Sequence, residues 1–174
     1  MRRPFHVLAC LGAVAHHGFE LGAGVGLVFQ PWLGLGRATA LWGALFAAWL
    51  SAAARGSPTW DRPLAFAGGM SVGAAAIHYV LWPWELRKGL PYLLEAEGLP
   101  RHQLPAYNAI LYTWAAAATV ALARETPAGR RRWAVAGAMA VIPFRRTVRH
   151  HFAWLAERAR SEPAWWNRAL APGT

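Results

Sequence analysis

The sequence predicts an all-α integral membrane protein, a bundle of four transmembrane helices followed by a basic C-terminal helix that is interfacial or partly inserted. Composition gives the first reason, since 56% of the 174 residues are hydrophobic and only 15% are charged. The apolar residues also gather into runs of about 20, the length at which a helix crosses a bilayer. Many of the eleven tryptophans lie near the ends of these runs, as in the aromatic belts of membrane proteins.

The remaining composition excludes several classes of protein. The formal net charge is +10, but the arginines lie between apolar runs and in the tail, where cytoplasmic anchoring and anionic lipid explain them without nucleic acid. A single cysteine, Cys10, excludes an intrachain disulfide and a cysteine metal cluster. The first apolar run is too long for a signal peptide and lacks a cleavage site. We therefore expect no nucleic-acid partner.

The first predicted span, Phe5–Phe29, carries the most informative residues. His16 and Glu20 are four residues apart, and His17 is three from Glu20, so a helix places each pair on one side. A charge at the centre of a span costs about 2.5 to 3.5 kcal/mol, so such groups usually face a cavity or a partner and mark function. The three side chains therefore predict a polar pocket near or beyond the middle of the span.

Glycines on the other side of this span repeat every four residues and predict close helix packing. They are Gly18, Gly22 and Gly26. A turn over Gln30–Arg37 leads to span two, Ala38–Ala54, which holds Trp42 but no ionisable group and is interpreted as a wall of the pocket. Span three, Leu64–Trp84, places His78 well inside, on one face with Ser71 and Glu85.

The segment from Glu85 to Pro105 is broken by glycine and proline, and its amphipathic patch Tyr92–Leu99 is expected at the interface or as a lid. Span four is predicted over Ala106–Ala123. Its polar residues fall in one stripe that should face protein or water rather than lipid. The stripe consists of Asn108, Tyr112 and Thr119.

After the basic loop Arg124–Arg132, the apolar run Trp133–Phe144 is only about half a span long before arginines interrupt it. We therefore divide the chain into a four-helix domain over 1–124 and a basic loop with an amphipathic helix over 125–174. Positive charge favours four spans with both chain ends in the cytoplasm, and a fifth span is the alternative. The apolar face of the last helix is expected to hold Phe144, Val148, Phe152 and Leu155, with His150 and His151 on its basic face.

Four motifs in register give a family resemblance. They are His-x-x-x-Glu in span one, Ala-Leu-Trp-Gly (40–43) in span two, Ser-Val-Gly (71–73) before Tyr-Val-Leu (79–81) in span three, and Asn-Ala (108–109) in span four. Over Leu8–Leu122 this order resembles the emopamil-binding protein family, the EXPERA domain of sterol Δ8–Δ7 isomerases and sigma-2-receptor-like proteins.

The resemblance implies roles for several residues. In the isomerases of that family a histidine and a glutamate four apart move a proton at a sterol double bond, which implies this role for His16 and Glu20. It also implies that Asn108 lines the pocket. The chain departs from the family at two positions, because the second catalytic glutamate falls near Leu35 and the aspartate of span three falls on His78.

These residues predict a membrane-embedded isomerase that moves a double bond of a sterol-like or terpenoid lipid through a carbocation. Burial in an apolar span keeps Glu20 protonated as the acid, and His16 can return its proton. The base is left open between His78 and His17, since a neutral imidazole is basic in such a pocket. The aromatic rings that could stabilise the cation belong to Trp42, Tyr112 and Trp114.

Alternatives remain at this stage. A proton-initiated terpenoid cyclase needs the same acid, and the same pocket could bind a sterol, terpenoid or cationic amphiphile without turnover. Haem between His78 and either His16 or His17 is disfavoured because Glu20 has no role there. A metal site formed by these histidines with Glu20 is disfavoured for want of a recognisable second shell. We therefore expect neither cofactor nor metal.

The expected partners are an isoprenoid lipid in the pocket, anionic membrane lipids at the basic tail, and a second copy of the chain in a homodimer. Usage rich in alanine, glycine and arginine, with the single lysine Lys88, suggests a GC-rich bacterial gene. The expected location is then the bacterial inner membrane, with Arg2 and Arg3 keeping the N-terminus cytoplasmic. In a eukaryote the expected location is the endoplasmic reticulum.

Overall fold

The computed structural model describes residues 2–96 and 98–171 and is mostly helical. Its helices are α1 (Pro4–Ala23), α2 (Gln30–Arg55), α3 (Asp61–Leu81), α4 (Leu104–Arg124), α5 (Arg131–Ala140) and α6 (Phe144–Ser161), and its two strands are β1 (Trp84–Arg87) and β2 (Leu90–Leu93). Three helical stretches of the described chain are long and apolar enough to cross a membrane: Gln30–Arg55, Pro58–Leu81 and Arg101–Arg124. Helix α1, which carries three histidines and a glutamate, is not among them.

Helix α1 is shorter than the predicted span Phe5–Phe29. Gly24 ends it in the left-handed conformation, with φ of 94°, which glycine adopts without a steric penalty. The N–H groups of Gly24 and Val25 donate to the carbonyl of Glu20 at 3.1 and 3.0 Å. Glu20 therefore lies in the last turn of α1, next to the loop 24–29, rather than inside a longer helix.

Helix α2 begins earlier than predicted but is interrupted where the sequence placed a turn. Its first turn starts at Gln30, and Gly34 then leaves the helical region with φ of 72° and ψ of 165°. The remaining helix is the most exposed of the long ones, and its outward side chains include Leu41 and Leu45. An apolar helix exposed in this way fits a lipid environment better than water.

Glycines mediate close helix packing, but not the glycines expected from the sequence. A Cβ at Gly69 on α3 would collide with the carbonyl of Ala134, and one at Gly137 on α5 would collide with that of Phe66. Helices α3 and α5 therefore pack backbone to backbone and run parallel. The predicted stripe is wrong as a packing face, because a Cβ at Gly18 or Gly22 would meet nothing within 4 Å, and Gly26 belongs to the loop after α1.

We expect Gly69→Ala to destabilise the fold by about 1 to 3 kcal/mol, because the added methyl group pushes α5 away from α3. The matched control is Gly18→Ala, where the methyl group enters open space. The effect is measured as the melting temperature of the detergent-solubilised protein, with size-exclusion chromatography after heating as the readout of unfolding. Equal melting temperatures for the two variants would contradict this packing.

Buried polar contacts fasten the end of the bundle at which α1 begins. Arg3 forms a buried ion pair with Asp61, the first residue of α3, and also donates to the carbonyl of Ser57. Glu125 accepts the backbone N–H groups of Phe5 and His6, one on each carboxylate oxygen and both at 2.9 Å. This carboxylate caps α1 and complements the positive end of its dipole.

A β-hairpin follows α3, where the sequence predicted an amphipathic patch. Strands β1 and β2 pair antiparallel from Trp84 opposite Leu93 to Arg87 opposite Leu90. Lys88 and Gly89 form the two-residue turn with φ of 52° and 81°, as a type I′ turn requires. The predicted patch begins at Tyr92 and therefore overlaps the end of β2. The pairing of β2 with β1 was missed because helical periodicity carries no information on strand pairing.

Helix α6 lies at the other end of the bundle, next to the loop after α1. His151 is 3.0 Å from the carbonyl of Val25, and the N–H of Ala169 donates to the carbonyl of Gly24. The tail is therefore at the opposite end of α1 from Pro4, whereas the predicted four-span arrangement placed both chain ends together. Helix α5 also packs into the bundle, through its contact with α3.

Candidate functional site

A cavity of about 340 Å³ lies between α1, α2 and α3, and α6 covers one end of it. Most of its wall is aliphatic or aromatic, so it suits an apolar ligand. Its polar groups come from residues of α1, α3 and α6. They are His16, His17, Glu20, Ser71, His78 and His151.

Glu20 is the centre of the polar part of the wall. Its Oε1 accepts a hydrogen bond from the Tyr107 hydroxyl at 2.7 Å and lies 3.1 Å from Nε2 of His16. Nε2 of His78 lies 3.9 Å from the same oxygen. All four side chains belong to buried residues, with Glu20 8% exposed. The structure thus joins the residues from three helices around one carboxyl group.

The hydrogen bonds of the imidazoles define their tautomers. Nδ1 of His78 is 2.7 Å from the carbonyl of Ala74, and Nδ1 of His17 is 2.9 Å from that of Ala13. A carbonyl oxygen only accepts, so Nδ1 carries a proton in each ring. When the ring is neutral, Nε2 then holds the basic lone pair, and in His78 this nitrogen is the one nearest to Glu20.

Aromatic rings hold the two neighbouring histidines from different sides. The indole of Trp114 stacks on His16 with 4.9 Å between ring centroids, and Trp42 lies 4.2 Å from His17. Both tryptophans line the cavity, as the sequence predicted. Their π faces present negative charge density, which is useful wherever a cation forms.

Asn108 and Tyr112 do not line the cavity, in contrast to the sequence expectation. Asn108 accepts the N–H of Leu93 at 2.9 Å and donates to the carbonyl of Leu104 at 2.9 Å. The hydroxyl of Tyr112 donates to the carbonyl of Pro91 at 2.6 Å. Both side chains therefore fasten the hairpin to α4, because the unpaired polar groups of β2 lie beside this face of the helix.

We expect Asn108→Ala to lower the stability of the protein by about 1 to 3 kcal/mol, since it leaves the backbone of Leu93 without its partner. Ligand affinity should change little, because Asn108 is outside the cavity. Thr113→Ala is the matched control, as Thr113 is exposed and bonds only its own helix at Ala109. A large loss of ligand affinity in a fully folded Asn108→Ala protein would restore this residue to the pocket.

Sequence reasoning missed Tyr107 and His151. Tyr107 is seven residues from Trp114, so the two share a face of α4, and this spacing could have revealed the phenol. His151 is 1% exposed and lies with Val148 and Leu155 on the inner face of α6, not on the basic face where the sequence placed it. The apolar spacing 144, 148, 151, 155 carries that signal.

The same side chains could also bind a metal ion. Ligand atoms of His16, Glu20 and His78 lie within 4.8 Å of one another, so these residues could hold a metal ion. The hydrogen bond from Nδ1 of His78 to a carbonyl is of the kind that orients metal-binding histidines. From the sequence, a metal site at these residues and His17 is an alternative that we disfavour.

Comparisons of the chain with protein-family models, with curated proteins and with solved structures find no match.

Proposed function

We propose that this protein is a membrane-embedded isomerase that shifts a double bond of an isoprenoid lipid, sterol-like or terpenoid, by proton transfer. The observation that carries the proposal is the buried Glu20 carboxyl, contacted by two imidazoles and a phenol at the wall of an apolar cavity. An acid in a dry, apolar chamber can protonate an alkene without offering water as a nucleophile.

The contacts suggest the order of proton transfers. Glu20 donates its proton to one carbon of the double bond, which forms a carbocation and leaves a carboxylate. His78, through Nε2, removes a proton from a neighbouring carbon, and the double bond re-forms one position away. The proton then returns from His78 to Glu20, whose Oε1 lies 3.9 Å from Nε2, through a water molecule that reaches the pair between turnovers, so acid and base are restored.

We assign the base to His78 rather than His17. Both rings present Nε2 as the basic nitrogen, and that of His78 lies 3.9 Å from Oε1 of Glu20. His17 instead packs between Trp42 and Phe46. His16 and Tyr107 hold the carboxyl in place, and their hydrogen bonds stabilise the carboxylate that remains after protonation. The rings of Trp42 and Trp114 would stabilise the carbocation.

The proposal includes a membrane setting. Three helices of the described chain are long and apolar enough to span, and we propose α1 as a fourth span whose polar face is turned into the bundle. The exposed side chains Leu8 and Leu11 would then face lipid. Membership of the emopamil-binding family, supported by the motif order, is part of the same proposal. So is the location in an inner membrane with the Pro4 end cytoplasmic, supported by Arg2 and Arg3 before α1. Anionic lipid at the tail and a homodimer complete it.

Incubation with candidate lipids tests the function. The purified protein in nanodiscs is supplied with sterols and linear terpenoids that contain isolated double bonds, and the products are analysed by mass spectrometry and NMR. We expect a product of unchanged mass in which one double bond has moved. Loss of a double bond at unchanged mass would indicate the cyclase, and tight retention of an unchanged lipid would indicate a binding protein.

A further inference from the structure

We propose that the substrate has an anionic, oxygen-rich headgroup, a phosphate or diphosphate ester, that binds at Arg149 while its isoprenoid tail occupies the main cavity. This inference rests on the proposed function for the tail and adds the class of the head. A second cavity of about 240 Å³ adjoins the first. The two share three wall residues, Leu81, Val148 and Phe152.

Two wall residues of the smaller cavity, Trp82 and Arg149, carry hydrogen-bond donors for which the described residues show no acceptor. Arg149 is one of its wall residues and forms no ion pair within the described residues. The indole Nε1 of Trp82, another wall residue, is buried and has no acceptor in the same part of the chain. A buried donor normally has an acceptor, and a phosphate oxygen would supply one.

The local charge favours an anion. Residues 144–156, the part of α6 that covers the cavity, contain no carboxylate, whereas Arg145 and Arg146 lie one turn from Arg149 and are exposed like it. The acidic residues farther along α6 are already paired with other arginines. Glu162 bonds Arg158 at 2.7 Å, and Glu157 bonds Arg160. A phosphate near Arg149 would therefore meet no nearby carboxylate of this helix.

The placement also fits the shape of such a lipid. The smaller cavity lies where α3 ends, beside Val80 and Trp82, and the main cavity extends inward from there to Glu20. An amphiphile in a bilayer keeps its charged head at the interface and its tail in the hydrocarbon. The same orientation would place the head at Arg149 and a tail double bond in the chamber that contains the acid.

Binding measurements test the headgroup without requiring turnover. Titrations of the full chain in phosphatidylcholine nanodiscs use geranylgeranyl monophosphate and, in parallel, the uncharged alcohol geranylgeraniol. We expect the phosphate to bind about tenfold more tightly, since a charge-assisted bond to arginine contributes about this factor. Arg149→Gln should remove that advantage and leave the alcohol unaffected. Arg160→Gln, at an exposed arginine paired with Glu157, is the matched control and should change neither affinity.

Two results would overturn the proposal. One is equal affinity for the phosphate and the alcohol in the unmodified protein. The other is loss of the advantage when phosphatidylglycerol replaces part of the phosphatidylcholine, which would assign Arg149 to membrane headgroups in general. The same titrations on Glu20→Gln separate this inference from the isomerase. If Glu20→Gln still prefers the phosphate, and neither it nor the unmodified protein isomerises any lipid, the headgroup site stands and only the proposed reaction fails.

Discussion

Replacing Glu20 by glutamine is expected to lower the rate of double-bond migration by about 10³- to 10⁴-fold, near the upper end of what one general acid contributes. The amide is isosteric with the carboxyl and still accepts the hydrogen bond of Tyr107, but it has no proton that an alkene can take. Lipid uptake should therefore be largely preserved. Single-turnover kinetics with saturating substrate in nanodiscs measure the chemical step, and a binding titration measures uptake.

Glu85→Gln is the matched control for this experiment. Glu85 is an exposed carboxylate on the hairpin that pairs with Arg87 at 2.6 Å, and it is outside the cavity. Its variant should isomerise at the unmodified rate. If Glu20→Gln retains full activity while it remains folded, the acid is another group.

The second large effect is expected at His78. His78→Gln keeps a polar side chain of similar reach but removes the nitrogen that accepts a proton, so turnover should fall by about 10²- to 10³-fold. Because the ring contacts Glu20 but the bulk of the cavity is apolar, KM should change much less than kcat. Steady-state kinetics in nanodiscs separate the two constants.

His17→Gln provides the comparison that identifies the base. His17 lines the same cavity and has the same tautomer, and its ring packs against Trp42. We expect a loss smaller than that of His78→Gln. The reverse order of effects would transfer the role of base to His17.

Much of the site was accessible from the sequence because helical spacing relates sequence to geometry. The spacing of His16 and Glu20 placed them on one face of α1, and the structure brings their side chains to 3.1 Å. The sequence placed His78 well inside its span; the structure has it in the last turn of α3, where it still lines the cavity. The base was not decided by spacing, because the distance from His78 on α3 to Glu20 on α1 is seen only in three dimensions.

The errors have equally specific causes. Asn108 was assigned to the pocket by resemblance, whereas its position on α4 is turned to the hairpin, and Tyr107, one residue earlier, is turned to α1. One residue on a helix rotates the side chain by about 100°, so adjacent positions reach different neighbours. The hairpin partner of Asn108 was itself missed, since strand pairing between Trp84 and Leu93 has no helical signature.

The parts of the fold that depend on the length and apolarity of a segment could be predicted from the sequence. The parts that depend on backbone contacts could not. The apolar runs yielded helices α2, α3 and α4, but Gly24 ended α1 early through a left-handed conformation that periodicity does not register. The contact of Gly69 with α5 likewise depends on which glycine faces a neighbour, and the repeat at Gly18 and Gly22 gave the wrong answer.

The most direct test of proton transfer from Glu20 is the isomerisation reaction run in deuterium oxide. The protein and the Glu20→Gln variant are equilibrated in that solvent, a lipid that the unmodified protein converts is added, and the product is analysed by NMR for the position of deuterium. We predict one deuterium at a single carbon of the migrated double-bond system with the unmodified protein, and no product with the variant. A product that contains no solvent deuterium, or one formed equally by the variant, would contradict protonation by this carboxyl group.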